Sequence, residues 1–486
     1  MSDAHLVLLV VGLPLLAAGC LALVGQRDGA GALNVGFCLA TLVAALALAV
    51  RTALHGPTVV LDRLFYIDPL NVFLVSLTAF VGWTTAMFSR PYMRIERDRG
   101  RMTPARMRLY HAMYQLFLLA MLVALTTNNM GVLWVSMEAA TLATVLLVGL
   151  YRSAASLEAA WKYFILCGVG IAQALFGTVL LYLAANRPLG GDALLWTSLN
   201  AVKGSLDPTI VSLAFVFLLI GYGTKVGLVP LHSWLPDAHA EGPTPVSAVL
   251  SGLLLNVALY AVLRSKVIAD GALHNGLPGH LLIGFGLVSV LVATFSLFRQ
   301  RDVKRLFSYS SIEHMGLMTF AFGLGGPVAT FAGLLHMTVH SLVKSAIFFS
   351  VGHAAQKTGT QAIEGIRGLL RVSPVVGWGM MAGVLAIVGM PPFGAFASEF
   401  LIVTSAMHAL PWAAPLLLLA LAVAFAALFW RAQVMVFGEA TTARTLEHRP
   451  ALAPVFIHLG IGLMLGLYIP PALDTWYRQA AAMLGG

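Results

Sequence analysis

Charge is the scarcest property of this 486-residue sequence: only 10% of its residues are Asp, Glu, Lys or Arg, against 59% hydrophobic. So few charges cannot cover a water-facing surface, which excludes a soluble domain and leaves a polytopic membrane protein. Cysteine is nearly absent as well. Cys20, Cys38 and Cys167 stand singly in apolar surroundings with no CxxC pair, excluding a zinc knuckle, an iron–sulfur cluster and a disulfide framework and leaving them as packing residues. There is no glycine-rich phosphate loop with its lysine and no dinucleotide-binding glycine fingerprint, so the chain holds no redox or nucleotide-driven centre of its own.

What is present is a succession of apolar stretches of about 20 residues, the length of helix that crosses about 30 Å of hydrocarbon. Fourteen are expected, near residues 5–24, 32–50, 66–89, 110–128, 131–150, 160–184, 209–230, 245–263, 280–298, 304–323, 328–353, 375–392 continuing to 409, 412–437 and 451–470. The fold class is therefore all-α and membrane-embedded. Leu15 to Cys20 reads LLAAGC, like a lipoprotein cleavage box, yet nothing basic precedes it and cleavage is not expected.

With alternate loops on opposite sides, most arginines and lysines follow odd-numbered segments: seven arginines between Arg90 and Arg108, for example, and Arg431, Arg444 and Arg449 after segment 13. Arg51, Arg63, Arg187, Lys203, Arg264, Lys266 and Arg478 fall on the other side. The positive-inside rule then places both termini on the non-cytoplasmic face of a bacterial-type cytoplasmic (inner) membrane. The net charge of +9 is a topology signal, the arginine run is an anchor to the lipid bilayer, and no nucleic-acid partner is expected.

Ionisable residues inside the apolar stretches carry the functional reading, because a charge at membrane depth is costly and marks ion pathways. Lys225 precedes the proline-broken string from Pro230 to Ser247, which holds His232, Asp237 and His239; Glu399 follows a second break at Pro391 and Pro392. Paired interrupted helices in two halves of a transporter point to its ion site, since unwound backbone lines water there. His336, His340 and Lys344 are spaced i, i+4, i+8 and share an arc of roughly 80°. Lys304, Ser308, Ser311 and His314 share a broader face, with Glu313 nearly opposite and so expected to make a different contact. Glu138 is the only acid of its segment. Each residue alone could be a hydrogen-bonded histidine, a snorkelling lysine or half of a static ion pair. His336 and His340 have the spacing of a metal pair, but no further ligand is evident and the lysine continuing the stripe favours a proton relay over metal or haem; no metal is expected.

Four passages resemble the antiporter-like proton-translocating membrane subunits of respiratory complex I, group 4 nickel–iron hydrogenases and multi-subunit cation/proton antiporters. They are GTKVGLVPLHSWLPDAHAEGPTPVSAVLSG, DVKRLFSYSSIEHMG, HMTVHSLVKSAIFFSVG and GMPPFGAFASEFLI. The resemblance implies fourteen helices and two inverted repeats with broken helices 7 and 12. On that reading, residues 1–109 hold helices 1–3, 110–265 the first repeat, 280–438 the second, and 450–486 the last helix. It implies that Glu138 partners the central Lys225, that His336, His340 and Lys344 form the stripe joining two half-channels, that Lys304 lies in the matching tenth-helix motif, and that Glu399 is the terminal carrier; by position alone, His314 is expected to take part in the same relay. Asn256 departs from the pattern, standing where complex I members usually carry lysine. Glu313, Asn256 and the segment WKYFILCGVGIAQALFG look most like the hydrogenase-4 F-component branch of that family.

Three functions remain open at this level. One is a proton-translocating subunit of a hydrogenase-4 or formate-hydrogenlyase-like, or complex I-like, redox complex. Its partners would be other antiporter-like and small membrane subunits and soluble hydrogenase-like or quinone-oxidoreductase-like subunits, which would carry the iron–sulfur clusters and, in a hydrogenase, nickel and iron. The others are a subunit of a multi-subunit cation/proton antiporter and a membrane partner in bicarbonate uptake.

Overall fold

Among the described residues, 2–440 and 448–485 of the computed structural model, eleven helices are long and apolar enough to cross a membrane. Segments 1 to 6 are Asp3–Val24, Ala30–His55, Pro69–Asp98, Pro104–Thr126, Met130–Val148 and Ala154–Leu189. Segment 7 begins as Pro208–Val226 and resumes as Trp234–Glu241; segments 8, 9, 11 and 13 are Thr244–Ala272, Leu277–Leu297, Gly326–Thr358 and Ala413–Phe437. Three stretches that are shorter or more polar complete the expected fourteen. They are Val303–Leu324 (segment 10), Pro374–Ile387 with Gly394–Ala409 (segment 12), and Ala453–Leu467 (segment 14), which turns by 81° into Pro471–Met483. Arg444 lies outside the described residues.

Local chemistry sets the boundaries. Side chains of Thr103, Asn129, Ser153, Asp207 and Asp302 accept from the first free N–H groups of segments 4, 5, 6, 7 and 10, donors that a helix cannot satisfy internally. Both broken segments are built alike. In segment 7 the first helix stops at Gly227 (φ +82°) with Pro230 following; in segment 12 Gly389 (φ +69°) precedes Pro391 and Pro392. A left-handed glycine ends the helix and a proline prevents its resumption in register.

Segments 8, 10 and 11 form the interior, segments 8 and 11 being buried throughout their apolar windows. Segments 1, 2, 6 and 13 turn leucine and valine faces outward, among them Leu16, Leu54, Val169, Leu183 and Leu419, as helices bordering lipid do. Segment 7 lies against segment 6 through small residues: a Cβ at Gly177 would sit 2.8 Å from the Ala214 carbonyl oxygen, and one at Gly170 2.7 Å from Thr224 Cβ. That contact seats the helix turn carrying Lys225.

Loop contacts follow the expected alternation. On the arginine-rich side Arg97 pairs with Asp28, Arg305 and Lys162 with Asp237, and Arg99 donates to the Gln356 carbonyl. On the opposite side a hairpin of Thr58–Val60 and Phe65–Ile67 lies near the helix Trp196–Val202, with Arg63 bonded to Asp192 and Ser198. Several basic residues expected in loops lie within helices, Arg51, Arg187 and Lys266 among them. Arg264, expected in a loop, sits inside segment 8, buried, with its guanidinium 2.6 Å from Asp68 and stacked over the Trp196 ring at 4.4 Å.

Candidate ion-translocation axis

Lys225 is fully buried on the last turn of the first half of segment 7, and its ammonium has no hydrogen-bond partner. The Tyr163 ring lies 6.0 Å from it, and Glu138 on segment 5 is the carboxylate whose charge acts on it. The two form no direct ion pair among the described residues, and one Glu138 oxygen is itself buried without a partner. The carboxylate therefore acts on the lysine through its charge and not through a direct contact. Cys167, expected as a packing residue, is buried in segment 6.

The centre of the protein joins segments 8, 10 and 11. Residues Leu250–Leu254 form a π-helical turn in segment 8, an irregularity common at functional sites. The Gly252 carbonyl accepts from the Ser341 hydroxyl at 2.6 Å, and Asn256 Nδ2 donates to Ser341 Oγ at 2.7 Å and to the Met337 carbonyl at 3.0 Å. Ser251 and Ser311 hydroxyls meet at 2.8 Å. Asn256 therefore bridges segments 8 and 11 by hydrogen bonds, and its remaining oxygen is buried and unpartnered.

Lys344 donates to the Phe307 carbonyl at 3.0 Å, and the charge that acts on it is Glu313. A helical wheel sets Glu313 apart from the polar row; the structure brings it in. Segment 10 is surrounded by protein, so its opposite faces are both interior. Beyond Lys344, His314 Nδ1 lies 3.0 Å from His336 Nε2 and 3.9 Å from Glu399 Oε1, while the His340 ring is 5.7 Å from that of His314 with both nitrogens unpartnered. Glu138, Lys225, Glu313, His314, His340 and Glu399 thus each hold a buried polar atom with no partner in the protein.

Three sequence candidates lie away from this row. Lys304 donates to the Ala240 and Gly242 carbonyls at 3.1 and 2.6 Å, closing the end of the short helix Trp234–Glu241. Asp237 is committed to ion pairs at the arginine-rich surface, and His232 is half-buried against Tyr309. His239, by contrast, stacks on Phe348 with both nitrogens unpartnered and feels the charges of Lys304 and Lys344. An open polar cavity of about 570 Å³ on the arginine-rich side is lined by Arg101, Arg106, Glu241 and Asp302 among others. Burial there lifts the Asp302 carboxyl above its ordinary range despite the N–H donors of Arg305 and Lys304.

Ser341, His353 and His458 are not singled out by sequence. His353 lies nine residues beyond Lys344, off its i+4 stripe, and His458 is held by Thr84 and the Leu342 carbonyl, contacts that no local spacing announces. The Lys304 geometry carries a prediction. Lys304→Met strands two buried carbonyls, a cost of about 1–3 kcal/mol each, so it lowers the thermal midpoint in detergent; an unchanged midpoint contradicts the capping role.

Residues 127–437 match the transmembrane family described as NADH:quinone oxidoreductase/Mrp antiporter. The sequence is 51% identical over 422 residues to a hydrogenase-4 component F homolog of Methylacidiphilum infernorum, covering 86% of this chain and 88% of that one. It is 30% identical over 353 residues to NADH-quinone oxidoreductase subunit N of Desulforudis audaxviator, covering 71% and 67%. In fold, it resembles a chain of an archaeal membrane-bound sulfane sulfur reductase (TM-score 0.89, 24% identity, 99% and 98% covered). A chain of the Mrp complex of Dietzia sp. is similar too (TM-score 0.87, 21% identity, 99% and 97% covered).

Proposed function

Because this chain belongs to the NADH:quinone oxidoreductase/Mrp antiporter transmembrane family, we propose that it is a proton-translocating membrane subunit of a hydrogenase-4-like or complex I-like redox assembly. The supporting observation is the set of buried Lys225, Lys344, Glu313, His314, His336, His340 and Glu399 with the half-buried Glu138, most of whose members hold a polar atom with no protein partner. Static ion pairs would be closed by direct contacts. Here charges act on one another without touching, which suits groups that trade protons through intervening water.

In this reading Lys225 is loaded opposite Glu138, the Asn256–Ser341 bridge and Lys344 connect the halves, and Glu399 delivers the proton. Moving a charge against 100 mV takes about 2.3 kcal/mol, and this chain offers no cofactor to supply it. The energy would come from partner subunits bearing iron–sulfur clusters and, in a hydrogenase, nickel and iron, docked on the cytoplasmic face of the inner membrane with both termini of this chain opposite. Purification from native membranes tests this. We expect soluble cluster-bearing subunits to co-purify and electron transfer to drive proton uptake in proteoliposomes; recovery with small membrane subunits alone and no redox activity replaces this reading with cation/proton exchange.

A further inference from the structure

Of the two segment 11 histidines, His336 meets two further candidate ligands from other segments, while His340 stands outside the group. Among the described residues, His314, His336 and Glu399 form the one group of three whose ligand atoms all lie within 4.8 Å of one another. All three side chains are buried, Glu399 keeping about a tenth of its side-chain surface exposed. We infer that His314 Nδ1, His336 Nε2 and the Glu399 carboxylate constitute a binding site for Zn²⁺.

The surroundings orient the donors. The Ser398 hydroxyl lies within bonding distance of the Gly394 and Ala395 carbonyls at 3.1 and 3.0 Å, so its proton is used there and its oxygen accepts from His336 Nδ1–H at 2.8 Å. His336 Nε2 is thereby left with its lone pair facing His314. This is the arrangement in which a metal-binding histidine is fixed through its other nitrogen. Opposite it, Glu399 Oε1 is buried with no hydrogen-bond partner.

The spacing is close to what zinc requires. Bonds of about 2.0–2.2 Å in a tetrahedron place donor atoms roughly 3.3–3.5 Å apart, against 3.0 Å for His314 to His336 and 3.9 Å for His314 to Glu399. The third edge, His336 to Glu399, lies within 4.8 Å, so adjustments on the order of 1 Å close the set. His314 binds through Nδ1 once its proton sits on Nε2, which is buried and unpartnered, so both rings remain neutral. Two histidines and one carboxylate leave a fourth position for water, and a set of nitrogen and oxygen donors suits zinc better than magnesium or calcium.

The site coincides with groups assigned above to the proton path, so bound zinc would halt translocation; that consequence, unlike binding, rests on the proposed function. The test uses the intact purified complex, equilibrated with micromolar ZnCl₂ and washed. We expect one additional zinc per copy of this chain and X-ray absorption showing two imidazole nitrogens with oxygen at about 2.0–2.2 Å. His336→Gln and Glu399→Gln should each weaken uptake at least ten-fold. Equal retention by the unmutated and His336→Gln complexes overturns the site. So does an unmutated-complex spectrum lacking two imidazoles, a result that does not depend on any variant folding. Proton uptake measured in parallel separates the two readings: zinc held in the expected shell with uptake unimpaired supports the site while removing this cluster from the path.

Discussion

Lys225→Met should abolish proton translocation and leave the complex assembled. The lysine is completely buried and its ammonium bonds to nothing, so methionine replaces its stem at nearly equal volume without stranding a partner. Removing an uncompensated buried charge is neutral or favourable for folding, in contrast to breaking a closed ion pair. Stability and transport therefore part company here. Acidification of proteoliposomes, followed with a pH-sensitive dye, should fall at least ten-fold while subunit content and thermal midpoint hold; uptake at the unmutated rate would take Lys225 out of the path.

Arg264→Met should have the opposite profile. Its guanidinium is 2.6 Å from Asp68, both are buried, and the aromatic rings of Trp196, Tyr260 and Tyr66 lie 4.4, 5.0 and 5.6 Å away. Losing the cation leaves the Asp68 carboxylate buried and unpaired, at a cost of about 3–5 kcal/mol. The chain should be lost from the membrane or unfold several degrees earlier. Adding Asp68→Asn should recover much of that loss, because the stranded charge goes too. Simple addition of the two losses in thermal unfolding would show that the pair is not the source.

The contrast between these two residues shows what sequence can and cannot reveal. Lys225 is visible because charge in an apolar run needs no structural context, and the stripe His336, His340 and Lys344 because helical periodicity alone aligns it. The breaks in segments 7 and 12 are legible from their prolines. Arg264 reads as a loop residue because its partner lies 196 positions away and nothing local announces the ion pair. Glu313 misleads for another reason: a helical wheel separates inside from outside only when one side faces lipid. Lys304 and Asp237 look like the other buried charges, and only the fold shows one spent on carbonyls and the other on surface arginine and lysine. Asn256, a departure from the family pattern, proves to bridge segments 8 and 11, a contact that the pattern itself does not describe.

Segment 11 runs 33 residues, about 50 Å at 1.5 Å per residue, and its apolar window touches no lipid. Its surrounding medium, in the electrical sense, is therefore made of neighbouring serines, carbonyls and aromatic rings and not of acyl chains. Bilayer thickness, headgroup charge and sterol content can reach His336, His340 and Lys344 only second-hand, through deformation of the enclosing helices. These three residues are thus insulated from the composition of the membrane around the protein.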